Sequence, residues 1–171
     1  MYHKFKDMVQ YNHFEYGRQL THKLKLYEAN GEKAFHRAPN SDTLLSISNK
    51  LSDINYPVLV AIDGKDADFE DNEAEQLIKK PQFFLMILKP AVNDDSDSIL
   101  NAQEECEAVA LQVQARMIEE KRNEIGGMWA LDISSFAIRS IGPMGDCLYG
   151  VVMSYTMQGA ISYKIDTNYW V

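Results

Sequence analysis

The sequence predicts an α+β fold: a mainly antiparallel sheet with one long helix packed across it, and N-terminal helices. Three observations carry this. Ile99, Ala102, Cys106, Val109, Val113 and Met117 recur at steps of three and four, which is one face of a helix. Val58 to Ile62 and Phe83 to Leu88 are short, continuous apolar runs bounded by proline or by Asp63-Gly64. A strand covered on both faces needs that pattern, because successive side chains point to opposite sides. Trp129 to Met157 forms two alternating runs about the turn chemistry Gly142-Pro143-Met144-Gly145-Asp146, which reads as a hairpin. Two strands, a long helix and two more strands make an α+β order.

The elements follow in sequence. Residues Tyr2 to Tyr27 read as helical, with Tyr2, Phe5, Val9, Leu20 and Leu24 sharing a stripe and Asn30-Gly31 as the stop. Asn40-Ser41-Asp42 offers N-cap oxygens for a second helix, whose Leu44, Ile47, Leu51 and Ile54 share one face. The segment Asp63 to Glu75 holds seven acids against Lys65 and reads as an exposed loop, with a helical turn near Ala74 to Lys79. Pro81 restarts the chain, Phe83 to Leu88 is an interior strand, and Pro90 ends it. Asp97 is the expected N-cap of the helix Ser98 to Arg122, and Gly126-Gly127 its stop. The apolar register shifts between Ile133 and Phe136, which predicts a bulge near Ser134-Ser135. In the last long strand Tyr149, Val151, Met153, Tyr155 and Met157 occupy one face. The whole, residues 1–171, reads as a single domain, with a helical arm at 1–30 and an α+β core at 31–171.

Charge narrows the function. Seventeen basic and 25 acidic residues leave a net charge of −8. Phosphate neutralisation needs clustered Lys and Arg, so a nucleic-acid partner is not expected. The same sign disfavours an anionic membrane surface. The N-terminus has no apolar signal core, and no apolar run approaches the roughly 20 residues that span a bilayer. Cys106 and Cys147 cannot build a disulfide framework, and Cys106 lies among helical apolar positions, so the expected compartment is the reducing cytoplasm.

Candidate chemistry is sparse. Asp66, Asp68 and Asp71 are oxygen ligands of the type Ca²⁺ prefers, but the spacing of a calcium loop is not met, so no metal is expected. His3, His13, His22 and His36 are spaced too widely for a zinc site and read as surface or boundary residues. Cys147 has no base or nucleophile signature beside it. No phosphate-binding glycine loop is present, and no cofactor or catalytic residue is assigned. Tyr149, Tyr155, Tyr163, Tyr169 and Trp170 crowd the C-terminal quarter. They pack a core and edge, or they form a protein–protein surface, where Tyr and Trp are enriched. Together with Asp66, Asp68 and Asp71 they are the candidate interface.

Three stretches read together carry a resemblance. They are Phe35-His36-Arg37-Ala38-Pro39 with Tyr56-Pro57-Val58-Leu59-Val60; Phe83 to Leu88 with the acidic stretch and long helix; and Ile141-Gly142-Pro143 with Leu148-Tyr149-Gly150-Val151 and the Tyr169-Trp170 tail. From about Phe35 onward the chain resembles small phage or prophage structural proteins of Bacteroidetes genomes, of the tail-terminator or neck (tail-completion) kind. That resemblance implies a non-enzymatic ring subunit, made in the host cytoplasm and then carried in the virion. Its partners would be other copies of itself and tail-tube or head-completion proteins. The alternative reading is a small-ligand or regulatory α+β binding domain.

Overall fold

A computed structural model describes residues 11–27, 31–38, 56–62, 67–71, 77–161 and 168. Its elements are α1 (His13–Lys23), β1 (Phe35–Ala38), β2 (Val58–Ile62), β3 (Ala67–Asp71), β4 (Leu77–Pro90), α2 (Ser96–Arg122), β5 (Leu131–Met144), β6 (Leu148–Met157) and β7 (Gly159–Ile161). The sheet runs β1-β2-β4-β6-β5, with β3 and β7 added on β4. β1 is parallel to β2, and every other described pairing is antiparallel. A mostly antiparallel sheet crossed by one long helix is the α+β architecture expected. No described helix is long and apolar enough to cross a membrane.

α2 is longer at its start than the sequence predicts. Asp95, not Asp97, is its N-cap, and its carboxylate accepts from the amides of Asp97 and Ser98, both at 3.1 Å. Asp95 is extended while Asp97 is already helical, so only Asp95 can fold its side chain back onto the first turn. The buried stripe is Ala102, Cys106, Ala110, Val113, Met117 and Glu120. Ile99 and Val109 lie at its border rather than on it. Small Ala102, Cys106 and Ala110 let the helix approach the sheet closely, and Val113 and Met117 are buried farther along the same stripe.

One face of the sheet meets α2 and α1. There Leu59, Ala61, Leu85, Ile87, Val151, Met153, Tyr155 and Met157 pack with the α2 stripe and Leu20. The opposite face gathers Ala38, Val58, Val60, Ile62, Met86, Leu88 and Leu148. Burial on both faces explains why Leu85 to Leu88 are all apolar. β4 lies between β2 and β6, which makes it interior, as expected. The hairpin β5–β6 has a register irregularity between Asp132 and Ala137, where the bulge is expected. Its turn holds Gly145 at φ 60° and Gly142 at φ 135°, backbone that favours glycine.

Several expectations are corrected. Residues Ala67–Asp71 form a strand, not a loop, and Leu77 to Lys79 open β4 rather than closing a helical turn. Backbone pairing with β4 decides this, since exposed strand faces tolerate acids that a local reading assigns to loops. Pro81 does not restart the chain. Gln82↔Thr156 and Lys79↔Gly159 keep one register, so β7 continues β6 across the position of Pro81, which has no amide hydrogen for the ladder. α1 spans only His13–Lys23 of the described N-terminal part. The expected second helix, from Asn40 onward, lies outside the described residues.

Candidate functional site

The longest strand lives in two environments. Fourteen residues at about 3.3 Å each make β4 about 46 Å long. Its C-terminal half pairs with β2 and β6 and holds four consecutive buried residues, Leu85 to Leu88. Its first five residues, Leu77 to Pro81, pair with β3 and β7, and none of them is fully buried. β3 meets it out of step with β2: from Ile62↔Phe84 to Ala67↔Pro81, five residues advance on one strand against three on the other. The result is a three-stranded arm, β3–β4–β7, continuing the sheet beyond its core.

The arm is acidic along β3. Asp68, Glu70 and Asp71 are exposed, and Phe69 stands among them 57% exposed. Lys80 forms an ion pair with Glu70 diagonally across the β3–β4 ladder, and that hydrogen bond raises the lysine pKa. At the arm's root Asp132 accepts from the Ser134 hydroxyl at 2.6 Å, the Ser134 amide and Gln158, which lowers its pKa.

A second feature lies where α1 meets the sheet and the end of α2. The α1 face that docks is His13, Gly17, Leu20 and Thr21, so only one large apolar side chain is fully buried. Polar bonds supply the rest. His13 Nε2 donates to the Phe84 carbonyl at 3.0 Å, since a carbonyl only accepts. Its Nδ1 therefore accepts from the Tyr155 hydroxyl at 3.0 Å, and Tyr155 in turn accepts from Tyr11 at 2.7 Å. Burial is the first cause that raises the pKa of Tyr11 and of Tyr155, so both stay protonated as donors.

Glu120 is the buried charge of this region, 2% exposed. Tyr16 donates to Oε2 at 2.8 Å, Arg116 Nε to Oε1 at 2.7 Å, and Lys23 Nζ to Oε1 at 3.4 Å. Burial alone raises its pKa, but these three donors and the lysine charge outweigh it and hold the carboxyl below its usual range. A shallow groove of about 150 Å³ opens beside it, walled by Tyr11, Tyr16, Ile125 and Met128 and by the polar Asn12, Glu15, Gln19 and Lys23. Gly127 forms its floor, where a Cβ would come within 2.3 Å of the Tyr11 amide nitrogen.

The candidate interface residues separate in space. Asp68 and Asp71 are exposed on the arm. Tyr155 is 1% and Tyr149 7% exposed, so both are core residues and present no surface. Their alternation with Val151 and Met153 on the helix-covered face of β6 is the reason. Tyr149 also has its hydroxyl engaged, donating to Asn93 at 3.0 Å. Asp66, Tyr163, Tyr169 and Trp170 lie outside the described residues. His13, read as a surface or boundary residue, is buried; His22 is exposed. Cys106 is buried and its thiol is pushed up to about 12, chiefly by burial. Glu120, Tyr11 and Tyr16 escape the sequence reading. The available signal is that Glu120 continues the α2 stripe three residues after Met117, where a carboxylate requires partners. Among the described residues no group of three His, Cys, Asp or Glu is arranged to hold a metal ion. Compared with known proteins, the sequence matches no family model and no curated protein.

Proposed function

We propose that this chain is a non-catalytic structural subunit that assembles with copies of itself into a ring on a phage-like tail or neck, in the manner of a tail terminator. The observation that carries the reading is the β3–β4–β7 arm. A strand that buries Leu85 to Leu88 and leaves Leu77 to Pro81, paired with β3 and β7, at most half-buried extends past what the core needs. Such an extension has exposed backbone edge and side chains for another chain. The acids of β3 are consistent with a specific, charge-guided contact rather than open-ended strand pairing, because charged edges resist aggregation. The buried ionisable groups have structural work: Glu120 is held by three donors, and His13 pins α1 to β4 and β6.

The alternative, a small-ligand α+β binding domain, draws on the groove beside Glu120. At about 150 Å³ it is well below the roughly 300–1,000 Å³ of small-molecule sites. The test is imaging by negative stain of the full chain mixed with the tail-tube protein of the same gene cluster. Rings seated on tube ends support the proposal. Bare tubes with unassembled subunit refute it.

A further inference from the structure

We infer that the β3–β4–β7 arm is jointed to the core sheet at the Pro81–Gln82 peptide, and that Asp132 holds it at its angle. This goes beyond the ring reading and stands on the ladder alone, whether or not that reading holds. Pairing along β4 changes sides at this point. Phe84 pairs with both β2 and β6, whereas Phe83 and Gln82 pair with β6 alone. Pro81 and Lys80 pair with β3 alone, and Lys79 pairs with both β3 and β7. Among the described residues, the sheet therefore passes from core to arm through a single strand.

A sheet resists bending because each strand is braced by the ladders on its two flanks. At the joint neither flank supplies a continuous brace. On the β3 flank, five residues from Ile62 to Ala67 stand against three from Phe84 to Pro81, and extra residues bend a strand pair. On the β7 flank the register is kept from Gln82↔Thr156 to Lys79↔Gly159, but Pro81 brings no amide hydrogen. The amide of Gln158, between those two ladders, turns away to the Ala130 carbonyl at 2.7 Å. Hinges are a few residues of this kind, at the ends of elements that each stay intact.

The side-chain contacts that cross the joint converge on β5. Gln158, which links β6 to β7, donates through Nε2 to Asp132 Oδ2 at 3.0 Å. The other oxygen of Asp132 accepts from the Ser134 amide at 3.0 Å and its hydroxyl at 2.6 Å, so the carboxylate is fixed from its own strand. Its charge also reaches Lys80 on the arm: the lysine pKa is raised first by the bond to Glu70, and Asp132 adds to that rise. Without the Asp132 carboxylate the arm keeps its own ladder and the Lys80–Glu70 ion pair, but loses its side-chain tie to β5. The arm runs four residues from Pro81 to Leu77, about 13 Å, so a swing of about 20° carries its tip by about 5 Å.

The test is a distance measurement between nitroxide labels by double electron–electron resonance, in a Cys147→Ser background where the remaining Cys106 is buried. Asp71→Cys carries one label at the arm tip, opposite Leu77, and Glu107→Cys carries the other on the exposed side of α2. Adding Asp132→Ala should broaden or shift the distance distribution by about 5 Å. Gln158→Ala, which removes the same bond from its other end, should act in the same direction. A second pair, Phe69→Cys with Lys79→Cys, lies directly opposite in the β3–β4 ladder and should keep its short-range coupling in the Asp132→Ala chain, because the arm turns as a unit. A distribution left unchanged by both Asp132→Ala and Gln158→Ala overturns the joint. Loss of the Phe69–Lys79 coupling overturns it as well, since the arm then frays instead of turning.

Discussion

Tyr16 donates a 2.8 Å hydrogen bond to the buried Glu120 carboxylate, and so ties α1 to the last turn of α2. Arg116 and Lys23 complete the shell from the two helices. Tyr16→Phe leaves two donors in place and should cost about 1 kcal/mol. Glu120→Ala strips the acceptor from all three and should cost about 2–3 kcal/mol, more than a half-exposed ion pair would. Urea titrations of the two variants against wild type check the order.

The same carboxylate sets a pH dependence. Its folded pKa lies below the ordinary 4.5, so its stabilisation is present above that value and is lost as pH falls through the folded value. Glu120→Gln should therefore be less stable than wild type at neutral pH, with the gap closing below pH 4.5. Unfolding free energies at a series of pH values measure this; a gap that stays constant into acid contradicts it.

Gly150 sits opposite Leu88 in the β4–β6 ladder. A Cβ there would fall 2.0 Å from the Ile87 carbonyl oxygen, which is backbone and cannot step aside. Gly150→Ala should cost about 3 kcal/mol or more. Gly159→Ala, with open space around its Cβ, should stay within about 0.5 kcal/mol of wild type. Thermal melts of the pair give the comparison.

The fold was largely legible because its core obeys local periods. Val58 to Ile62, Leu85 to Leu88 and the α2 stripe announce burial through spacing alone. β3 was not legible, since Asp68-Phe69-Glu70-Asp71 has no apolar alternation and becomes a strand only through pairing with a distant segment. Pro81 reads locally as a break for the same reason: its missing amide hydrogen falls at a gap in the β4–β6/β7 ladder that only tertiary structure reveals. Alternation puts Tyr149 and Tyr155 on one face of β6, but which face α2 covers is not written in the strand itself. The α1 cluster was hidden because His13, Tyr11 and Tyr16 find Phe84, Tyr155 and Glu120 across long stretches of chain.

The two thiols should separate cleanly. Cys106, buried with its pKa pushed up to about 12, presents almost no thiolate at pH 8 and no path to reagent. Cys147 is partly exposed at the hairpin turn. A maleimide should label Cys147 in the native protein and Cys106 only after denaturation, as peptide mass mapping would report. Native labelling of Cys106 at a comparable rate would contradict the packing of α2 on β6.

The central claim is assembly through the arm, and native mass measurement of the full chain addresses it most directly. Measured alone and with the tail-tube protein of the same gene cluster, the chain should give one closed homo-oligomer of fixed stoichiometry in at least the second condition. Phe69→Ala should shift that population toward monomer. A strictly monomeric chain in both conditions would contradict the account.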